Sequence, residues 1–255
     1  MIDSVPYWFH SIDVGNGVVT NGAKSPEQMR REWEQMRLPD LRGKSVLDIN
    51  AWDGFFAFEA EKRGASEVTA LDFFMWAMDV APLLDYWKEC RDSGAVPMPY
   101  EETVHYKPDA LPGKRGFDVA HQLLGSRVKQ VVADFMTADL AALGTFDVVF
   151  FLGSLYHMRN PFEALERVAA VTRELAVIET EAARFEGHDA RAMWEFFPSN
   201  ELNGDVSNWW APNALALEGI CRAAGFRRVE TWATDDPVRA ENGVERYRLV
   251  AQAWK

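Results

Sequence analysis

Acidic residues stand at the ends of several short apolar runs. Asp48 lies in VLDIN, Asp72 closes VTALD, Asp134 closes VVAD, and Glu179 follows LAVI. A further run, VVFFL, ends in Gly153-Ser154-Leu155-Tyr156-His157. Carboxylates accept hydrogen bonds from hydroxyl and amino groups. Strand ends in an open parallel sheet line one crevice, so the pattern suits recognition of a nucleoside. Asp72 ends the next strand-like run, Val68 to Asp72, about twenty residues on from the break after VLDIN, the spacing that places an acid on a ribose diol. Asp134 suits an adenine amino group, with Phe135 against the base. Phe73, Leu152 and Gly153 adjoin these positions and complete the expected cofactor pocket.

The acids need elements to hold them. Residues 45–58, SVLDINAWDGFFAF, read as a buried strand, a tight turn over Asn50-Ala51-Trp52-Asp53-Gly54, and a helix. Asp48, Asn50, Ala51 and Gly54 are the cofactor-binding candidates there, because such a turn brings backbone N–H groups and a helix start against a ligand. Asp53 suits a cap of that helix. No G-x-x-x-x-G-K-[ST] or G-x-G-x-x-G is present. A pyrophosphate would meet Asp48 and Asp53 with no basic residue in the turn, so an adenosyl sulfonium fits better.

Further strands are expected at 68–72, 128–133, 148–152 and 175–178, alternating with helical patterns at 117–124 and 161–172. The second of those helices is expected to turn Phe162, Leu165, Val168 and Ala169 inward. Strands at 226–231 and 246–253 are expected to pair through 235–243 as an antiparallel hairpin. The order predicts an α/β fold: a Rossmann-like, doubly wound, mostly parallel sheet with an antiparallel C-terminal edge hairpin. Ahead of it, residues 1–43 read as a flap with two glycine-rich turns and a helix opened by Ser25-Pro26. Met29, Trp33 and Met36 supply that helix's packing stripe. Residues 182–213 are polar, aromatic and irregular, which predicts a functional lid rather than a core element. The domain expectation is thus a flap and helix over 1–43, then one domain over 44–255 carrying this insertion.

The net charge of −12 over 255 residues argues against a broad phosphate-tracking surface without excluding a local basic groove. Basic residues are scattered, with pairs such as Arg30-Arg31, Lys114-Arg115 and Arg227-Arg228. Cys90 and Cys221 are the two cysteines, too few for a disulfide framework or zinc site. No apolar run approaches membrane-spanning length and no leader pattern opens the chain. The expectation is a cytoplasmic protein with no metal and no membrane partner. A homo-oligomer stays open.

The run LDINAWDG, ALDF, VVADF, FDVVFFLGSLYH resembles the successive motifs of class I S-adenosylmethionine-dependent methyltransferases. WFHSIDVGNGVVTNG, LYHMRNPFEALERV and ELNGDVSNWWAPN resemble more narrowly the branch of the tRNA wobble-uridine (5-oxyacetic acid) enzymes. The resemblance implies S-adenosyl-L-methionine as cofactor. Two of the three glycines of the family's D-x-G-x-G-x-G are replaced here, leaving Gly54; Asn50 tolerates left-handed backbone and can stand in, while Trp52 must point away from the ligand. The wobble-uridine branch uses a carboxylated donor held by cationic and aromatic side chains. Tyr156 and Arg248 match two of these, whereas Ser25 and Arg30 fall where a tryptophan and a lysine are expected. The ordinary donor is therefore expected.

Methyl transfer from a sulfonium depends on alignment and needs a base only for a protonated acceptor. His157, Tyr156 and His10 are the catalytic candidates, with Glu179 and Glu195 as further bases. A bland role for His157 is to fix the loop after its strand. Trp209 and Trp210 could stack an acceptor ring or merely close the loop. Asn208 suits a turn or a substrate contact, and Arg248 and Glu179 complete the substrate-binding set. The expected reaction is methyl transfer to an oxygen or nitrogen of a small-molecule acceptor. Modification of a tRNA wobble uridine, or a non-catalytic methyltransferase-like binding role, are the alternatives.

Overall fold

The computed structural model describes residues 1–240 and 242–255. Residue 241, inside the predicted connection 235–243, lies outside the described residues. The chain forms two compact units, Met1–Ala138 and Asp139–Lys255.

The N-terminal unit contains α1 (Pro26–Gln35), β1 (Ser45–Ile49), α2 (Phe55–Lys62), β2 (Glu67–Asp72), α3 (Phe74–Ala77), α4 (Val80–Ser93), α5 (Arg115–Leu124) and β3 (Lys129–Val132). Ser25 caps α1 by accepting from the Gln28 amide at 3.2 Å, with Pro26 at the first position. Met29, Trp33 and Met36 are buried as expected. β1 and β3 flank β2, both in parallel register, with Ile49 opposite Leu71 and Asp72 opposite Val132. β1 and β2 are buried almost throughout, whereas β3 is mostly exposed. Phe117 of α5 and Trp76 of α3 are fully buried, their rings 5.3 Å apart. Trp76, Ala77 and Met78 are all core residues. α4 has no counterpart among the predicted helices; its mixed surface, with few buried positions, gives little periodic signal.

The C-terminal unit contains α6 (Leu140–Leu143), β4 (Phe146–Leu152), α7 (Pro161–Val171), β5 (Thr172–Arg184), β6 (Trp194–Phe196), β7 (Trp210–Pro212), α8 (Ala214–Ala223), β8 (Arg228–Ala233), β9 (Val238–Arg239) and β10 (Glu245–Trp254). β4 and β5 are parallel; β10 is antiparallel to both β5 and β8. The predicted hairpin is present, with β8 outside β10. Leu165, Val168 and Ala169 of α7 are buried, but Phe162 is 40% exposed. Phe162 stands in the first turn of α7, one position past its opening Pro161, and the buried positions there are Ala164 and Leu165.

β5 runs well past the expected 175–178 and continues to Arg184. The irregular insertion after it pairs β6 with β7 and has a small core of its own: Ala183, Phe197, Leu202 and Ala211. It is thus more built than its polar composition predicts. Among the described residues no helix is long and apolar enough to cross a membrane.

Candidate active site

In the N-terminal unit the site is built at the end of β1. Asn50 and Trp52 take left-handed backbone, with φ +61° and +49°, and Gly54 has φ +87°. Asn50 thus holds the conformation expected of it, and its amide donates to the Leu71 carbonyl at 2.7 Å. Ala51 beside it is buried. The turn closes on Asp72. The Trp52 amide donates to Asp72 Oδ2 at 2.8 Å and the Met75 amide to Oδ1 at 3.1 Å, while the Phe73 and Trp76 amides also donate to this carboxyl. Trp76 Nε1 reaches back to the Trp52 carbonyl at 2.6 Å. Asp72 is 0% exposed, and burial pushes its carboxyl up to about 6 against those amide bonds. A group so enclosed has no oxygen to offer a ribose diol. Its geometry organises the turn and the start of α3 instead.

Asp48 is buried as well. Burial pushes its carboxyl up to about 8, opposed by an amide bond from Ala57 and reinforced by Asp72. Its Oδ2 is buried without a hydrogen-bond partner. At Gly54 an added Cβ would come within 2.6 Å of Phe117 and 2.7 Å of Phe58. The positive φ and this packing both call for glycine.

Asp53 was expected to cap α2, yet the N-cap position is Gly54, without a side-chain cap. The Asp53 carboxylate turns instead to the flap. Its Oδ2 accepts the amides of Phe9 and His10 at 2.9 Å each, and its Oδ1 pairs with His10 Nδ1. The Phe9 ring stacks on Trp52 at 4.1 Å between centroids and 8° between planes. Trp52 therefore faces the N-terminal segment, which packs on the turn between β1 and α2.

At the end of β3, Asp134 is exposed and accepts the Met136 amide at 2.9 Å. Phe135 is 2% exposed, so its ring is core and has no face for a base. Phe73, after β2, is half-buried.

The C-terminal unit carries a second polar cluster. Arg248 on β10 lies opposite Glu181 on β5, with Glu179 two residues along the same face. Arg248 Nη2 donates to Glu179 Oε2 at 2.5 Å and Nη1 to Glu181 Oε1 at 2.9 Å, while Nε also pairs with Glu179. The guanidinium lies 5.1 Å from the Tyr156 ring centroid. Burial opposes the charge on Arg248, but Glu179, Tyr156 and Glu181 outweigh it and hold the group well above its ordinary range. Burial pushes the Tyr156 phenol up. Gly153, with φ +62°, donates its amide to Glu179 Oε2 at 3.0 Å. Leu152 precedes it, half-buried at the end of β4.

His157 anchors the insertion. Its Nδ1 lies 2.8 Å from Ser207 Oγ, which donates to Asp205 at 2.8 Å, and burial pushes the imidazole down. The Trp209 amide donates to the Tyr156 carbonyl at 2.7 Å. The Trp209 ring is flanked by Phe196 and by Arg159, at 6.5 Å and 5.3 Å. Trp210 packs on Phe196 at 4.9 Å. Asn208 is buried, its Nδ2 donating to the Leu202 carbonyl at 2.9 Å, so its geometry is that of the turn. Glu195 is paired with Arg246.

Within the C-terminal unit the fold thus gathers Gly153, Tyr156, His157, Glu179 and Arg248. Within the N-terminal unit it gathers Asp48, Asn50, Asp72 and His10. Asp53 as the partner of His10 was missed, and no local signal in the sequence points to it. Glu181 was missed too, although Glu-x-Glu on a strand places both carboxylates on one face. Among the described residues no group of His, Cys, Asp and Glu could hold a metal ion.

A family model described as "Methyltransferase domain" matches residues 23–231. The tRNA U34 carboxymethyltransferase of Idiomarina loihiensis is 23% identical over 207 residues, covering 79% of this chain and 52% of the relative. The chain spans about half the length of the curated relatives it matches. Among solved structures, the N-terminal domain of EvdMO1, crystallised with SAH and D-fucose, superposes with a TM-score of 0.59 at 17% identity, over 99% of this chain and 94% of that one. The 1,6-didemethyltoxoflavin-N1-methyltransferase of Burkholderia thailandensis gives a TM-score of 0.52 at 18% identity, over 92% and 80%. These likenesses establish the Rossmann-like fold of S-adenosylmethionine-dependent methyltransferases. Spanning most of the sequence, the family match makes this chain a member of the methyltransferase-domain family.

Proposed function

We propose that the protein transfers the methyl group of S-adenosyl-L-methionine to an oxygen or nitrogen of a small-molecule acceptor. The observation that carries this is the turn between β1 and α2, where Asn50 supplies the left-handed backbone that a second glycine would otherwise supply. The turn fits the cofactor: the buried Asp48 carboxyl has an oxygen without a partner and, with its pKa near 8, is neutral at physiological pH. Asp48, Asn50 and Ala51 would hold the amino-acid end. Phe73 would face the adenine and Asp134 its amino group. Asp72 would act through the turn, not on the ribose. When bound, the cofactor supplies an electrophilic methyl group.

Residues 1–43 serve this reading as a flap and helix, and 182–213 as the lid over the acceptor, with Trp209 and Trp210 as its aromatic wall. The wobble-uridine reading draws on the tRNA U34 carboxymethyltransferase relatives. Two observations weigh against it: the net charge of −12, and an Arg248 guanidinium already paired with Glu179 and Glu181. A third carboxylate, as on a carboxylated donor, would meet a cluster whose single positive charge is already outnumbered.

Calorimetry with S-adenosylhomocysteine tests the proposal. Binding that weakens in Asp134→Asn is the expected result. No binding by the wild-type protein would remove the enzyme reading and leave a non-catalytic methyltransferase-like protein.

A further inference from the structure

His10 and Asp53 form a buried pair on the cofactor turn, 6% and 2% exposed. A carboxylate that served only to staple the flap would need no more than the two amide bonds from Phe9 and His10. Asp53 also engages the imidazole through its second oxygen. A carboxylate accepts and does not donate, so Nδ1 carries a proton and Nε2 is the nitrogen left to exchange one. Among the described residues Nε2 makes no hydrogen bond. The ring is walled by Phe9, Phe56, Phe55 and Trp52, with centroids 4.8, 5.7, 6.0 and 6.3 Å away. This is the arrangement of an oriented base in an apolar surround.

We propose that His10 takes the acceptor's proton during methyl transfer, that Asp53 is its positioning residue, and that the acceptor is a neutral small molecule presenting a hydroxyl group. The inference rests on the methyl-transfer reading above. A lone pair of the hydroxyl oxygen forms the bond to the methyl carbon, and the carbon–sulfur pair returns to sulfur, which becomes a neutral thioether. The oxygen–hydrogen pair stays on oxygen while the proton passes to Nε2. The imidazolium so formed is compensated by the Asp53 carboxylate. Aromatic walls favour a neutral acceptor over a charged one, because they cannot solvate a charge that lacks a partner. The other titratable groups against the pair are Tyr7 and Lys24. Tyr7 is held protonated by burial and by the Asp53 charge; Lys24 lies over the Phe9 ring at 5.1 Å and is paired with Glu32.

Two measurements on the wild-type protein need no knowledge of the acceptor. Imidazole nitrogen NMR, with His10 assigned through His10→Gln, should show the Nδ1–H tautomer at neutral pH. Asp53→Asn should convert it to Nε2–H, since the amide donates where the carboxylate accepted. An Nε2–H tautomer in the wild-type protein overturns the proposal. Diethylpyrocarbonate should modify His10, read by peptide mass spectrometry. Modification should slow roughly tenfold with S-adenosylhomocysteine at about ten times its Kd, when about a tenth of the sites stay open. A His10 that does not react, or reacts equally with the site filled, also overturns it. Calorimetric binding of the same ligand reports on the donor reading separately. If it fails while the tautomer result holds, the donor is wrong and not the pair.

Discussion

Replacing Asp48 by Asn should flatten the dependence of stability on pH between about pH 6 and 8. The folded-state pKa is about 8, against 3.8 for the free side chain. Between those values the folded protein holds one proton more than the unfolded chain. Stability from this group is therefore fully present below 3.8 and is lost as pH rises through about 8. The slope is about 1.4 kcal/mol per pH unit well below 8 and half that at 8, which makes roughly 2 kcal/mol between pH 6 and 8. Against a typical domain stability of about 5–15 kcal/mol this is large. The window also lies above most of the titration of Asp72, whose carboxyl is raised only to about 6. Asn keeps an acceptor for the Ala57 amide and does not ionise. The two proteins should therefore be closest in stability below about pH 3.8, where Asp48 is protonated in both states, and by pH 6 the variant should already be ahead by about 3 kcal/mol. Urea unfolding followed by tryptophan fluorescence at steps across this range measures the effect, with unchanged m-values as the check on two-state behaviour. Equal slopes in wild type and variant would refute the buried, protonated Asp48.

Gly54→Ala adds a Cβ within 2.6 Å of the Phe117 ring at a φ of +87°, and should cost about 2–4 kcal/mol in thermal or urea unfolding. Arg248→Ala strands Glu179 and Glu181 without their cation and should cost about 3–5 kcal/mol; adding Glu179→Gln should recover part of it, and a strictly additive double mutant would show the pair uncoupled. Trp52→Ala removes the ring on which Phe9 stacks. It should loosen the flap by about 1–2 kcal/mol, visible as faster proteolysis within residues 1–24 while the remainder of the chain resists.

Local patterns carried most of the secondary structure. The buried runs of β1, β2, β4 and β10 are apolar because both faces are covered, and Ser25-Pro26 opens α1 through chemistry that needs no tertiary partner. The patterns failed where burial did not follow composition. Phe162 is large, apolar and exposed because it falls in the first turn of α7, just past Pro161. The insertion is polar overall, yet β6 and β7 pair and enclose Phe197 and Leu202. α4 buries too few residues to show a period.

At the site, the sequence by itself determined which residue types stand at the strand ends: the acids at 48, 72 and 134, the asparagine able to hold a left-handed turn, and the glycine, tyrosine and histidine after β4. Residue type and strand order suffice for that, because a parallel sheet brings consecutive strand ends to the same side. Only the tertiary structure decided what each acid does. Asp72 spends its oxygens on the amides of its own turn, Asp48 is buried and protonated, Asp53 leaves α2 to hold His10 across 43 residues of chain, and Glu179 and Glu181 neutralise Arg248. Hydrogen bonds form between whichever donors and acceptors the fold brings within about 3 Å, and that distance is not encoded in local spacing.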